Sequence, residues 1–406
     1  MGEKIKMVVD SSVPIDYEII QAGQAPVVMI SLLTGSKFEG GRSAGIFTAD
    51  DLIKILLYVR AARKLPQRIE DISSNSTGIT GLEPGDIIDL SKKITDHAHR
   101  WTPVENLVRD QASKLKYASD EIVNVGKDVT DTINSMDNDM IQALTVDDPN
   151  VKIPISNKDN AIQKTLLEIM ADLKELCLDR QQETRRVLTA VRDYKTELSG
   201  GTLSDNTTVM GLEPLLSRKK ELAKKAMSDT EIIKLQGDID ILEKEINQLR
   251  KDYDKYVGLA FTGILGGIIG IAITGGIFGA KAEAARKTKN SKIAELEKIS
   301  KDIKRKQEVQ GILNEFATQF TDIEMRLLDA EQSLSHLDSM WSDMVANIDG
   351  SLTKLGKVKD SDTLSKFLRD FKNIVRPWEI VGDMSAKLSN VFDQAIEEFR
   401  KTYTSQ

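Results

Sequence analysis

Residues 256–280 read YVGLAFTGILGGIIGIAITGGIFGA and carry no charged side chain. About 20 apolar residues cross the hydrocarbon core of a bilayer, so this length is sufficient for one membrane span. The segment also holds 8 of the chain's 26 glycines. Glycine weakens a helix in water but is common in membrane helices, where small residues let helices approach closely. The composition therefore favours membrane contact over the alternative, a fully buried core helix.

Apolar residues at alternating steps of three and four flank this segment on both sides. One such stripe runs through 232–256 and another through 313–348. A third stripe covers 162–187 and is interrupted by a polar turn. Heptad spacing of this kind is typical of coiled-coil helices. The three stripes predict a bundle that is longer than it is wide.

The positions of the prolines predict where the long helices lie. No proline occurs from Leu215 to Arg376, as long uninterrupted helices require. A first helix is predicted to begin near Thr48, whose hydroxyl can cap it, and to stop before Pro66. Shorter helical pieces follow up to Arg100. Further helices are predicted over about 103–144, 158–198, 213–256 and 281–348.

The two flanking stripes constrain how the apolar segment is used. A single membrane span would place them on opposite sides of a bilayer, where they could not pack together. If they pack antiparallel, the segment is the tip of a hairpin, and Gly266-Gly267 or Gly275-Gly276 could supply the turn. The predicted fold class is therefore all-α, an elongated helical bundle with a long antiparallel coiled-coil hairpin and an apolar, glycine-rich head.

Three domains are predicted on this basis. Residues 1–47 form an irregular N-terminal segment. Residues 48–231 together with 314–406 form a helical tail bundle and part of a neck. Residues 232–313 form the coiled-coil neck and the head, with the apolar tip at 256–280.

The residues predicted to contact a membrane are the large apolar side chains of the tip and one pair of its glycines. They are Tyr256, Val257, Leu259, Phe261, Ile264, Leu265, Gly266, Gly267, Ile268, Ile269, Ile271, Ile273, Ile277 and Phe278. Basic residues that follow are predicted to face anionic headgroups, namely Lys281, Arg286, Lys287 and Lys289. The alternative for these is a solvated helix face. Because an exposed apolar segment of this size causes aggregation in water, the pattern indicates a conditional membrane inserter.

Composition argues against several other classes of protein. A net charge of -7 over 406 residues argues against a nucleic-acid binder. The single cysteine, Cys177, rules out an internal disulfide framework. The sequence has no phosphate-binding loop, no dinucleotide fingerprint and no zinc-spaced Cys/His set, so we expect no enzyme activity, cofactor or metal. The N-terminus lacks the apolar core of a secretory signal, so any secretion is expected to use another route.

One stretch resembles a known family. The opening GIFTADDL at 45–52, the Tyr58-Val59-Arg60 and Leu65-Pro66 that follow, the chain length and the position of the apolar tip resemble the A component of the binary α-xenorhabdolysin toxins. These toxins belong to the cytolysin A superfamily of α-helical pore-forming toxins. The resemblance implies a membrane-facing head, a second toxin subunit (the B component), assembly into a hetero-oligomeric ring in the target-cell bilayer, and lysis. It supplies no catalytic residues.

Two other interpretations remain open from the sequence. One is a membrane-anchored coiled-coil scaffold or membrane-remodelling protein. The other is a soluble coiled-coil binding module whose glycine-rich segment is core or an interaction surface. Purification without detergent followed by liposome binding would separate a toxin component from both.

Overall fold

The computed structural model describes residues 4–7, 15–18, 46–71, 82–146, 152–225, 230–264, 284–300 and 308–403. Most of these residues are helical, which confirms the all-α prediction. The helices are α1 (Ala49–Ala62), α2 (Pro84–His99), α3 (Trp101–Ile133), α4 (Asn138–Val146), α5 (Asn157–Ser199), α6 (Leu212–Lys225), α7 (Thr230–Ile264), α8 (284–300), α9 (Glu308–Leu355), α10 (Ser361–Val375) and α11 (Pro377–Tyr403).

Strands are short in the described part of the chain. Strand β1 (Lys4–Met7) pairs antiparallel with β2 (Ile15–Glu18), within the segment predicted to be irregular. Strand β3 (Gly201–Thr202) pairs with β4 (Thr208–Val209) in the loop between α5 and α6. The residues of β3 and β4 are exposed or half-buried. The division into tail, neck and head stays a prediction.

Helices α5 and α9 form the long axis of the molecule. They have 43 and 48 residues, which is about 65 Å and 72 Å at the usual helical rise. The two run antiparallel, because Lys174 pairs with Asp349 at 2.7 Å whereas Arg185, further along α5, pairs with Asp338 at 2.7 Å. Helices of this length make the bundle elongated.

The heptad stripe predicted in the second half of the chain forms the core of α9. Every residue in it is buried, and the set is Leu313, Phe316, Phe320, Ile323, Leu327, Ala330, Leu334, Leu337, Trp341, Met344 and Ile348. Trp341 stacks on Trp378 of α11 with ring centroids 5.2 Å apart. The stripe on α5 is buried at Leu166 and Leu173 and faces the same core.

The predicted start of the first helix is confirmed. Thr48 is the N-cap of α1: its hydroxyl oxygen accepts from the Asp51 N–H at 3.1 Å, and the Asp51 carboxylate accepts from the Thr48 N–H at 2.8 Å. This reciprocal pair is a capping box. Helix α1 ends at Ala62, before Pro66 as predicted.

The helix predicted over 103–144 is wrong as a single element. Helix α3 ends at Ile133, and α4 begins at Asn138. Between them Met136 is buried, and the Asp137 N–H donates to the Asp159 carboxylate of α5 at 2.9 Å. The connection, Asn134-Ser135-Met136-Asp137, contains residues that favour turns over helix interiors, and packing Met136 into the core requires the bend.

The helix predicted over 213–256 is also wrong, because the chain reverses between α6 and α7. Lys220 pairs with Glu243, and Lys224 pairs with Asp240. One straight helix would separate these pairs by about 35 Å and 24 Å. Helices α6 and α7 therefore pack antiparallel, and the residues that join them, 226–229, lie outside the described residues.

The helix predicted over 281–348 is also wrong, because the chain reverses within this range. Lys289 of α8 lies 3.5 Å from Asp322 of α9, although a continuous helix would separate them by about 50 Å. The chain therefore reverses between α8 and α9. The joining residues, 301–307, read KDIKRKQ and contain no glycine or proline, so the sequence carries no stop signal there.

Buried histidines tie the stability of the bundle to pH. The His97 Nε2 bonds the Tyr194 carbonyl at 3.1 Å, and since a carbonyl only accepts, Nε2 carries the proton. Its Nδ1 then accepts from the Tyr58 hydroxyl at 2.8 Å. Burial lowers the pKa of His97 to about 4 and has the same effect on His336.

We expect the melting temperature to fall as the pH drops from 6.5 to 4. In this window the unfolded chain binds protons on both histidines, whereas the folded chain begins to bind them only near pH 4, which costs about 3 kcal/mol of stability for each histidine. His97→Gln should reduce the pH-dependent loss. His99→Gln changes an exposed neighbour and should leave it unchanged. Equal pH profiles for the parent and His97→Gln would contradict this expectation.

Candidate functional site: where the head hairpin docks

Helices α7 and α8 form an antiparallel pair that we call the head hairpin. Lys292 of α8 pairs with Glu245 of α7 at 2.8 Å. Leu242 and Ile246 of α7 share a small core with Ile293 and Leu296 of α8. This confirms the antiparallel hairpin on either side of the apolar segment.

The described residues among those predicted to contact a membrane lie at one end of this hairpin. Tyr256, Val257, Leu259, Phe261 and Ile264 lie in the last turns of α7. Outside the described residues lie Leu265, Gly266, Gly267, Ile268, Ile269, Ile271, Ile273, Ile277, Phe278 and the basic Lys281. Among the helices that the structure describes, none combines the length and apolar character that crossing a membrane requires. Membrane contact by the predicted residues stays a prediction.

Two of the basic residues predicted to face headgroups point towards the protein in this conformation. Lys287 is exposed, whereas the Arg286 side chain is 15% exposed and Lys289 is 1% exposed. Burial of Arg286 and Lys289 follows from the docking of α8 against α1 and α9. A headgroup contact by these two therefore requires the hairpin to move.

The docking site is centred on one turn of α9, residues 322–326. Arg326 lies at the middle of it: its Nη1 donates to Asp51 at 2.6 Å and to Asp50 at 2.8 Å, both at the start of α1. Its Nε donates to Asp322 at 2.9 Å. Burial alone would lower the pKa of Arg326, but these three carboxylates raise it above its ordinary value.

Helix α8 adds two cations to this turn. The Lys289 ammonium lies 3.5 Å from Asp322, and the Arg286 guanidinium lies 3.9 Å from Asp51. Burial lowers the pKa of Lys289 to about 8, and Asp322 only partly offsets this. We call Asp50, Asp51, Asp322, Arg326, Lys289 and Arg286 the charge cluster. It contains three carboxylates and three cations, and two of the cations, Lys289 and Arg286, belong to the hairpin.

Helix α7 contributes a cation to the same turn of α9. Arg250 donates to Glu324 at 2.6 Å and lies 3.5 Å from Glu213 of α6. Burial raises the pKa of Glu324 to about 7, against the opposing effect of Arg250. Both arms of the head hairpin thus place a basic side chain against residues 322–326.

Asp322, Glu324 and Arg326 could not be recognised as site residues from the sequence. Their spacing on a heptad helix is that of an ordinary solvated face, with an i,i+4 acid–base pair. They are buried because α1, α7 and α8 cover this side of α9. In the described ranges, no group of three His, Cys, Asp or Glu side chains could hold a metal ion.

Comparison with known proteins places the chain in a family. No protein-family profile and no curated protein matches it. YaxA from Yersinia enterocolitica is 37% identical, with 88% of this chain and 100% of that chain covered and a TM-score of 0.50. The XaxAB pore complex from Xenorhabdus nematophila contains a chain that is 38% identical over the same shares, with a TM-score of 0.45.

A more distant likeness concerns the fold alone. Soluble SmhA, of the tripartite α-pore-forming toxin from Serratia marcescens, is 9% identical, with 93% of this chain and 96% of that chain covered and a TM-score of 0.53. A sequence identity of 37% that covers the whole of YaxA is sufficient to establish the family. The chain belongs to the YaxA family, the α-xenorhabdolysin A components that its residues 45–66 and apolar tip resemble.

Proposed function

We propose that this chain is the A component of a two-component α-helical pore-forming toxin, which binds target membranes and assembles with a second subunit into a lytic ring. The observation that carries the proposal is the 37% identity over the full length of YaxA. The head hairpin supports it, because a membrane inserter needs an apolar element at the end of a structure that can project. The proposal includes no catalytic step.

The membrane-contacting element in this proposal is 256–280. It follows α7 and precedes α8 in the chain, and because these two helices pack antiparallel, the proposal places it at the end of the head hairpin. Glu245 and Lys292, which pair across the hairpin, are equidistant in sequence from the bond between Ile268 and Ile269. The most apolar stretch of the chain thus coincides with the centre of the hairpin.

The second component is required for a physical reason. A pore wall needs helices with an apolar outer face and a polar inner face, long enough to cross about 30 Å of hydrocarbon. Each half of 256–280 has about 12 residues, or roughly 18 Å as a helix. Besides the Tyr256 hydroxyl, its polar side chains are Thr262 and Thr274. We therefore propose that this chain anchors itself in the membrane and stabilises a partner subunit that supplies the lumen-facing helices.

We expect dye release from liposomes to require both components. The purified chain should bind vesicles without detergent and release little dye, whereas adding the component encoded beside it should cause rapid release. The partner alone is the matched control. Efficient release by the single chain would leave a self-sufficient toxin and refute the two-component part of the proposal. Failure to bind vesicles under any condition would refute the toxin function.

The site of action follows from this function. The chain is proposed to be secreted as a water-soluble protein and to act at the membrane of a target cell. Lys281 and Lys287 are proposed to face anionic headgroups there, with Arg286 and Lys289 joining them once α8 leaves the bundle.

A further inference from the structure

The head hairpin has its own apolar core, which is separate from that of the bundle. Its two small clusters consist of residues of α7 and α8 alone: Leu235, Ile239, Leu242, Ile246, Ile293, Leu296 and Ile299. Among the described residues, the apolar cluster shared with the bundle is limited to Tyr253 and Ala285 against Met325 and Leu328 of α9. The hairpin can therefore separate as a unit while its arms remain packed on each other.

The other described contacts between the hairpin and the bundle are polar, and they include the ion pairs Lys220–Glu243 and Lys224–Asp240 between α6 and α7. Besides the charge cluster, Arg250 pairs with Glu324, and Gln236 accepts a hydrogen bond from the Asn314 amide at 3.0 Å. Lys54 of α1 lies 3.8 Å from Glu297 of α8. Buried ion pairs determine which two surfaces fit together. Their net contribution to the stability of the docked state is small, because the attraction between the charges is largely offset by the cost of removing them from water. Docking of this type is specific and reversible.

The charge balance of the cluster depends on α8. With α8 in place, three carboxylates face three cations. Without Lys289 and Arg286, the cluster would keep three carboxylates and one cation of its own, Arg326, with Lys54 of α1 also acting on Asp322. Conversely, Lys289 is buried and has Asp322 as its counter-charge at 3.5 Å. Removing one partner from such a buried pair leaves an uncompensated charge, which opposes docking.

We propose that the charge cluster is a lock that keeps the head hairpin docked on α1 and α9 in water, and that it opens before the apolar tip enters a bilayer. The second part rests on the proposed function; the first does not. The lock lies on the turn of α9 that both arms contact, and the ion pairs of α7 with α6 and with Glu324 must also break before the whole hairpin leaves. The remaining apolar contact around Met325 is too small to hold the hairpin alone.

A cysteine at position 325 measures this opening in water. Met325 is 2% exposed and is covered by Tyr253 and Ala285 of the hairpin, so the thiol of Met325→Cys is labelled by a maleimide only when the hairpin leaves. A second reporter, Met170→Cys in the α5 core, is labelled only when the bundle itself unfolds. The native Cys177 does not compete, because burial raises the pKa of its thiol to about 12.

Two variants open the lock from opposite sides. Asp322→Asn removes the counter-charge of Lys289 from the bundle, and Lys289→Glu reverses the charge on the hairpin. Each should accelerate labelling at position 325 by about tenfold or more and leave labelling at position 170 at the parent rate. Lys298→Glu is the matched control: it is the same substitution on the same helix at an exposed position, and it should label at the parent rate.

The outcomes separate the lock from the toxin function. Parent-like labelling at position 325 in both variants would overturn the lock, whatever the proteins do to vesicles. Equal acceleration at positions 325 and 170 would also overturn it, because the cluster would then stabilise the whole bundle. Faster labelling at position 325 alone supports the lock, even if the parent and both variants fail to permeabilise vesicles with any partner, a result that would refute the proposed function only.

Discussion

Covalently joining α1 to α8 should abolish membrane permeabilisation. Lys54 and Glu297 are partly exposed, and their charged ends lie 3.8 Å apart across the docking surface. In the variant Lys54→Cys/Glu297→Cys, a bis-methanethiosulfonate reagent can link the two thiols and hold the hairpin on the bundle. With the partner protein present, dye release should fall to background and should return when a reductant cleaves the link.

The control uses the same chemistry within the hairpin. Glu245→Cys/Lys292→Cys joins α7 to α8, whose side chains lie 2.8 Å apart at this ion pair, and leaves the hairpin free to leave the bundle. Its linked form should release dye like the parent. If the α1–α8 link also leaves release intact, the hairpin does not need to undock, and the proposal that the lock opens before the tip enters a bilayer is wrong.

An aspartate at Ile268 or Ile271 should remove most of the membrane affinity. Both residues lie near the centre of the hairpin sequence. A carboxylate at the centre of a bilayer costs about 2.5–3.5 kcal/mol on the insertion scale, which is a loss of binding on the order of 100-fold. Vesicle flotation measures this loss directly. Circular dichroism should show parent-like helix content, because the change is confined to the segment proposed to contact the membrane.

The matched control for this prediction lies on the same hairpin. Ile241 of α7 is 57% exposed, so Ile241→Asp introduces the same carboxylate at a site far from the tip. It should bind vesicles like the parent. Ile268→Leu keeps the apolar character of the tip and should also bind. If Ile268→Asp binds and permeabilises like these controls, then 256–280 is not the inserting element.

The sequence predicted the helical character and the core faces with good accuracy. The stripe from Leu313 to Ile348 is buried at every position, and Thr48 caps α1 as its side chain and the following acids indicate. Helix α5 spans Asn157–Ser199 against a prediction of about 158–198. These features depend on residues within one or two turns of each other, so local periodicity and capping chemistry are sufficient to predict them.

The docking site could not be predicted in the same way. Asp322, Glu324 and Arg326 resemble a solvated helix face until helices from three other parts of the chain cover them. Lys289 is one of four basic residues that follow the tip, and its sequence context does not distinguish it from exposed Lys287. The difference between them arises from which side of α8 meets α9.

By itself the sequence determined that the chain is helical, which faces of its helices are apolar, and that one uncharged segment lies between two coiled-coil arms. Only the tertiary structure decided where the long helices reverse and which charges are buried. A heptad stripe shows which face of a helix is apolar and not where the chain ahead of it reverses, so the stripes at 232–256 and 313–348 did not predict the reversals that precede them. Burial of Asp51, Asp322, Arg326 and Lys289 depends on α1, α8 and α9 meeting in space, and these contacts join residues up to 275 positions apart.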